Sequence, residues 1–163
     1  MVIQDNKELV RQYAEEVFNR RNAAAIDNFV APDEVDHTLP PSLPANAAGT
    51  KRATEMFLKA FPDLHVTIDD IVAEGDKVAV KFTSHGTQRG VFAGIPPTGR
   101  PVTIQSYQFA RIANGKFVEV WGVDDQMGML RQLGVIPALF GLVFVAGLGA
   151  GAGLMALVRR IAG

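Results

Sequence analysis

The sequence predicts an α+β fold in which helices gather at the N-terminal end and a curved, mostly antiparallel sheet packs against them, enclosing a cone-shaped cavity. Three observations carry this expectation. Apolar residues recur at helical spacing as far as Phe61, alternate from Leu64 onward, and are interrupted by turn signals at hairpin intervals.

Leu9, Val10, Tyr13, Ala14, Val17 and Phe18 make one helical stripe, with Asp5 and Glu8 spaced as a capping box ahead of it. Residues 22–30 predict a second, short helix capped by Asn22. A proline-rich loop over 39–49 precedes a third helix, about 51–61, that Pro62 stops. Leu64, Val66 and Ile68 then alternate with polar residues. Gly75 to Lys77 form a tight turn, and Val78, Val80 and Phe82 alternate again, so the pair reads as a hairpin. "GIPPTGRP" leads into a long strand over 102–112. Asn114-Gly115 is a hairpin turn into a last strand, 117–123.

Composition excludes several classes. A formal charge of -1 without a basic cluster argues against a nucleic-acid surface. With no cysteine there are no disulfides or thiolate metal sites. His37, His65 and His85 are scattered without helical pairing, so no metal site is expected, and His65 and His85 read as surface or strand-edge residues. The N-terminus lacks the basic start and apolar run of a signal peptide.

Two adjacent acids, Asp124 and Asp125, stand where the last strand gives way to "QMGMLRQL". A strand period of two puts Phe117, Glu119, Trp121, Val123 and Asp125 on one face and Val118, Val120, Gly122 and Asp124 on the other. One helix start needs one cap, so Asp124 is assigned the cap and Asp125 the cavity beside Trp121. Arg111 is expected to pair with Glu119 across the strands.

Three segments in order, "AFPDLHVTIDDIVAEGDKVAVKFTSHGT" (60–87), "GIPPTGRPV" (94–102) and "RIANGKFVEVWGVDDQMGMLRQLG" (111–134), resemble the SnoaL-like polyketide cyclases, or ester cyclases, of the nuclear transport factor 2-like superfamily. The likeness runs from about residue 7 to 137, which sets a cone domain at 1–137 and an appendage at 138–163. The resemblance implies the α+β cone and an intramolecular aldol ring closure of an aromatic polyketide ester, without metal or cofactor. It also implies an aspartate acid/base a few residues after the tryptophan. That position is Asp125, in agreement with the strand parity. The histidine of "VDHT" maps onto His37 as a second catalytic candidate. Where many relatives carry a histidine after "GT", this chain has Gln88 and Arg89, which removes a titratable group near the expected cavity.

Such a reaction takes a proton from the carbon between two carbonyls, so its base needs a pKa near neutrality. Burial beside the Trp121 indole would raise Asp125 in that direction. Gln105 and Tyr107 share a face with Arg111 and are candidate donors to an enolate oxygen, with Gln88 a further polar contact. Parity alone leaves open whether that face is the cavity or the outer surface. Phe57 and Phe61 would line the cavity for a flat apolar ligand, although aromatic residues at such spacing are also ordinary core.

Residues 138–158 read "ALFGLVFVAGLGAGAGLMALV", without a charge, followed by Arg159 and Arg160. An apolar helix of that length spans a bilayer. Gly147 with Gly151 and Gly149 with Gly153 have the spacing of closely packed helices. The tail therefore reads as a membrane helix, as a buried helix at the core of a homo-oligomer, or as a flap over the cone's mouth. The first of these places the cone as a cytoplasmic domain held at a membrane. Two functional readings follow. One is a cofactor-free cyclase or isomerase-type enzyme acting on a small hydrophobic carbonyl compound. The other is a non-catalytic apolar-ligand binder or scaffold attached by its tail to a membrane or a larger complex.

Overall fold

The computed structural model describes residues 2–136. It has the expected α+β architecture: helices α1 (Val2–Tyr13), α2 (Ile26–Phe29), α3 (Ala47–Ala60) and α4 (Gln126–Gln132), and strands β1 (Val30–Asp36), β2 (His65–Glu74), β3 (Lys77–Thr87), β4 (Pro101–Ala113) and β5 (Lys116–Asp124). The five strands form one sheet in the order β1-β5-β4-β3-β2. β1 runs parallel to β5, and the other neighbouring pairs are antiparallel.

The long hairpins follow their turn chemistry. Asn114 and Gly115 both take positive φ, 52° and 71°, as a tight turn between β4 and β5 requires. The helices depart more from expectation. α1 begins at Val2, so Asp5 and Glu8 lie within it and do not cap its start. It continues at Ala14–Asn19 as a π-helical turn. The second helix is split into a 3-10 turn, Ala23–Ala25, and the short α2, and the Asn22 side chain makes no capping bond. α3 starts inside the supposed loop, because Asn46 Oδ1 accepts from the backbone N–H of Ala48 and Gly49 at 3.1 and 3.2 Å.

β1 has no counterpart in the sequence reading. It lies at the sheet edge against β5, with Val35 paired to Glu119 and Asp36 to Val120, and α3 packs over it.

The concave face of the sheet and the helices share the core. Val10, Val17, Ile26, Phe29, Val78, Val80, Ala110, Ile112 and Phe117 are buried together. A second cluster joins Leu58, Phe61, Leu64, Val66, Val102, Ile104, Met129 and Leu133 at the other end. Fully burying side chains of this size contributes about 1.5–3 kcal/mol each. Their alternation along β4 fixes its inner face as Val102, Ile104, Ser106, Gln108, Ala110 and Ile112.

Residues 138–158, with Gly147, Gly149, Gly151 and Gly153, lie outside the described residues, and so do the expectations of membrane or oligomer contact resting on them. Among the described residues no helix is long and apolar enough to cross a membrane.

Candidate active site

Strand β1 carries a buried face that is acidic. Its alternation is inverted: Val35 is 41% exposed while Glu34 and Asp36, on either side of it, are 2% and 6% exposed. Because Asp36 pairs with Val120, whose side chain faces the core, Glu34 two residues earlier also points inward. Opposite them α3 presents Thr50, Thr54 and Leu58 at successive i,i+4 positions, all buried.

These residues border a partly enclosed chamber of about 100 Å³ under the curved sheet. Its lining is apolar, including Val10, Phe18, Val78, Val80, Phe82 and Phe117. The polar exceptions are Tyr13, Glu34, Asp36, Thr50 and Gln108. No lysine, arginine or histidine is in the lining among the described residues.

Thr50 Oγ1 lies 2.8 Å from Glu34 Oε2 and 3.1 Å from Asp36 Oδ2. The other oxygen of Asp36 accepts twice from Thr38, from the backbone N–H at 2.8 Å and the hydroxyl at 2.7 Å. Glu34 Oε1 accepts no hydrogen bond among the described residues. Burial without a cation disfavours the charged form of Glu34, and the nearby Asp36 adds to this against the hydrogen bond from Thr50. Its pKa is pushed up to about 7. The same burial and the same two acids push Tyr13 up, so its hydroxyl stays protonated.

A second, wider and solvent-open cavity of about 410 Å³, the mouth, is lined by His37, Thr38, Gly122, Val123, Asp124, Asp125, Gln126 and Met127, none of which lines the chamber. A Cβ at Gly122 would come within 2.8 Å of Gln108 Cγ and 3.3 Å of Thr38 Cγ2, so glycine leaves room for these two side chains, one lining each cavity.

The residues singled out in the sequence fall mostly outside the chamber. Asp125 caps α4, its Oδ1 accepting from the Gly128 N–H at 2.8 Å, which is the role expected of Asp124, and both acids line the wider cavity. Asp124 pairs with Ser106 on the inner face, at the mouth. The physical reason is a bulge: Ile112 pairs with Phe117 but Arg111 pairs with Glu119, leaving Val118 without a partner. Phe117 therefore faces the core, and Glu119, Trp121 and Val123 face outward.

Trp121 is 37% exposed on that outer face. The His37 ring stacks on it at 5.1 Å, and His37 Nε2 is 3.1 Å from Glu119 Oε1. Arg111 donates to the other Glu119 oxygen at 3.1 Å, the cross-strand pair expected from the sequence. The bond with His37 and then the Arg111 guanidinium hold Glu119 below the usual carboxylate range. Gln105 and Tyr107 lie on the outer face of β4, opposite to the chamber, and both are exposed.

Gln88 is fully buried but away from the chamber. Its amide donates to the carbonyls of Gly90, Ile95 and Pro96, and its oxygen accepts from the N–H and hydroxyl of Thr98, so it organises the β3–β4 connection. Phe57 and Phe61 pack with Phe92 at centroid distances of 4.9 to 5.6 Å and belong to the second core cluster. Among the described residues no group of three or more His, Asp and Glu is placed to hold a metal ion.

Glu34, Asp36 and Thr50 escaped the sequence reading. A signal was present, since acids spaced two apart around a valine describe one face of a strand.

The chain resembles known structures over most of its length. TsrD from Streptomyces laurentii superposes with a TM-score of 0.75 at 27% identity, covering 81% of this chain and 96% of that one. IdmH from Streptomyces antibioticus, a candidate polyketide cyclase, gives 0.69 at 33% identity over 80% and 99%. AclR from Streptomyces galilaeus, a candidate hydroxylase, gives 0.70 at 32% over 82% and 87%. No curated protein matches the sequence. The sequence model of SnoaL-like polyketide cyclases matches residues 8–133, the stretch that holds the chamber, its acids and its mouth. Fold, identity and family match agree, and the chain belongs to the SnoaL-like polyketide cyclase family, whose membership points to cyclase or isomerase-type activity.

Proposed function

We propose that this protein is a cyclase or isomerase-type enzyme that moves a proton at the carbon between two carbonyls of a hydrophobic, polyketide-like compound, with Glu34 as the acid/base. The observation that carries this is Glu34 itself, buried in an apolar chamber that offers it no cation and poised about 7. A carboxyl poised there serves as base when ionised and as acid when protonated, both at neutral pH. The transfer needs neither metal nor cofactor, because the carbonyls themselves delocalise the charge. Tyr13 and Gln108, also on the chamber wall, supply donors for the enolate oxygen. The chamber limits the substrate: about 100 Å³ admits a small carbonyl-bearing group beside Glu34.

A second reading keeps Asp125 as the acid/base. It is favoured by the family resemblance and by the position of Asp125 on the wall of the wider cavity. Deuterium uptake from heavy water at the carbon between the carbonyls of ethyl 2-methylacetoacetate, followed by NMR, separates the readings. Glu34→Gln should slow uptake by roughly 100- to 10,000-fold, the usual span for a general acid/base, and Asp125→Asn should change it far less. The reverse ranking would return the chemistry to Asp125. No uptake by the unaltered protein would favour the non-catalytic binder.

A further inference from the structure

Thr50 Oγ1 stands within hydrogen-bond distance of one oxygen from each buried acid, 2.8 Å from Glu34 and 3.1 Å from Asp36. A hydroxyl has one proton and can donate to only one of them. For both contacts to be hydrogen bonds, the other acid must be protonated and donate to Thr50. Asp36 already accepts twice from Thr38 at its second oxygen, so with Thr50 donating to its first both of its oxygens serve as acceptors. Glu34 has no such support and faces an apolar chamber, so it is the acid that carries the proton.

Resting on the function proposed above, we infer that Thr50 is a positioning residue that joins Glu34 and Asp36 into a unit sharing one proton. In the resting unit the Glu34 O–H donates to Thr50 Oγ1, and the Thr50 hydroxyl donates to Asp36. When Glu34 hands its proton to Thr50, the Thr50 proton passes to Asp36. The net change is one proton moved from Glu34 to Asp36, with no other bond altered and no redox partner required. Glu34 is thereby returned to its carboxylate, and the proton is held transiently on Asp36, whose other oxygen accepts from Thr38.

Among the described residues the groups facing this unit are few. Tyr13 and Thr54 approach from the helices and Gln108 from β4, and none of them titrates near neutrality. The shared proton therefore belongs to the two carboxyls.

The test uses the full chain with ¹³C-labelled glutamate, comparing Thr50→Val, which keeps the shape and removes the hydroxyl, with Thr50→Ser, which keeps the hydroxyl. In Thr50→Val the Glu34 carboxyl should titrate about one pH unit lower, because the protonated unit loses two hydrogen bonds and the ionised unit one, with slower deuterium uptake from heavy water into ethyl 2-methylacetoacetate and its pH profile displaced alike. Thr50→Ser should follow the unaltered protein in both. A Glu34 titration that stays in place or rises in Thr50→Val, as it would if Thr50 only donated to the Glu34 carboxylate, or a Thr50→Ser that behaves as Thr50→Val does, would overturn the inference. Glu34→Gln tests the underlying function separately. If it exchanges deuterium at full rate while Thr50→Val still lowers the titration, the shared proton stands and the catalytic reading falls. If Glu34→Gln is inactive and the titration is not lowered, the reverse holds.

Discussion

Glu34 and Glu119 are the same residue type on opposite faces of one sheet, and their surroundings drive them in opposite directions. Glu34 faces a chamber without a cation and is pushed up to about 7. Glu119 faces outward between His37 and Arg111 and is held below its usual range. Hydrogen bonds with His37 and Arg111 hold Glu119 down, whereas at Glu34 desolvation outweighs its one hydrogen bond with Thr50. On this fold the sheet itself divides the acids into one poised for proton transfer and one committed to structure.

The comparison breaks most visibly in turnover. Glu34→Gln removes the titrating group and should lower deuterium uptake by roughly 100- to 10,000-fold, whereas Glu119→Gln should leave the rate near that of the unaltered protein. The next effect comes from giving the inner acid what the outer one has. Gln108→Lys places an ammonium on the chamber wall and should pull the Glu34 titration down by about 1–3 pH units, with the pH optimum following it. A Glu34 midpoint that stays in place would show that burial alone does not account for its value.

Stability provides a third, smaller contrast. Glu34 is raised in the folded state, so its favourable contribution is complete below its ordinary value of 4.5 and is lost as the pH climbs through about 7. The loss should be roughly 2 kcal/mol, allowing for partial solvation from the mouth. Urea melts across this range should show it, and Glu34→Gln should abolish that part of the slope. Glu119 is lowered, so its contribution runs the other way and fades as the pH falls through its depressed titration. Smaller again is the cap: Asp125→Ala should cost about 1 kcal/mol and Asp125→Asn only a few tenths. A Cβ at residue 128 would overlap the Asp125 carboxylate, so Gly128→Ala should displace the same cap. Removing the Glu119 charge at neutral pH should have the smallest effect of all, near the resolution of a thermal melt.

The parts of the fold that the sequence revealed are those governed by local chemistry. The turns at Gly75 and at Asn114-Gly115 and the alternation of β3 and β4 needed no tertiary information. β1 could not be seen in this way. It contains Pro32 and three acids, residues depleted in strands, and it is held by pairing with a strand more than 80 positions away. The candidate site lies on that strand, which is why the sequence reading found the mouth but not the chamber. The inward turn of Asp124 and the outward turn of Trp121 have a different cause. Strand parity works only while the register is unbroken, and the bulge at Val118 shifts every later residue of β5 to the other face. Gln88 shows a third limit: a buried amide gives no sequence signal that tells a loop organiser from a cavity residue.

The most direct test of the account is the titration of the Glu34 carboxyl by ¹³C NMR in the full-length protein, its resonance assigned by loss in Glu34→Gln. The midpoint should lie near 7, well separated from those of the exposed glutamates. A midpoint near 4.5, shared with those glutamates, would contradict it and remove the basis for acid/base chemistry in the chamber.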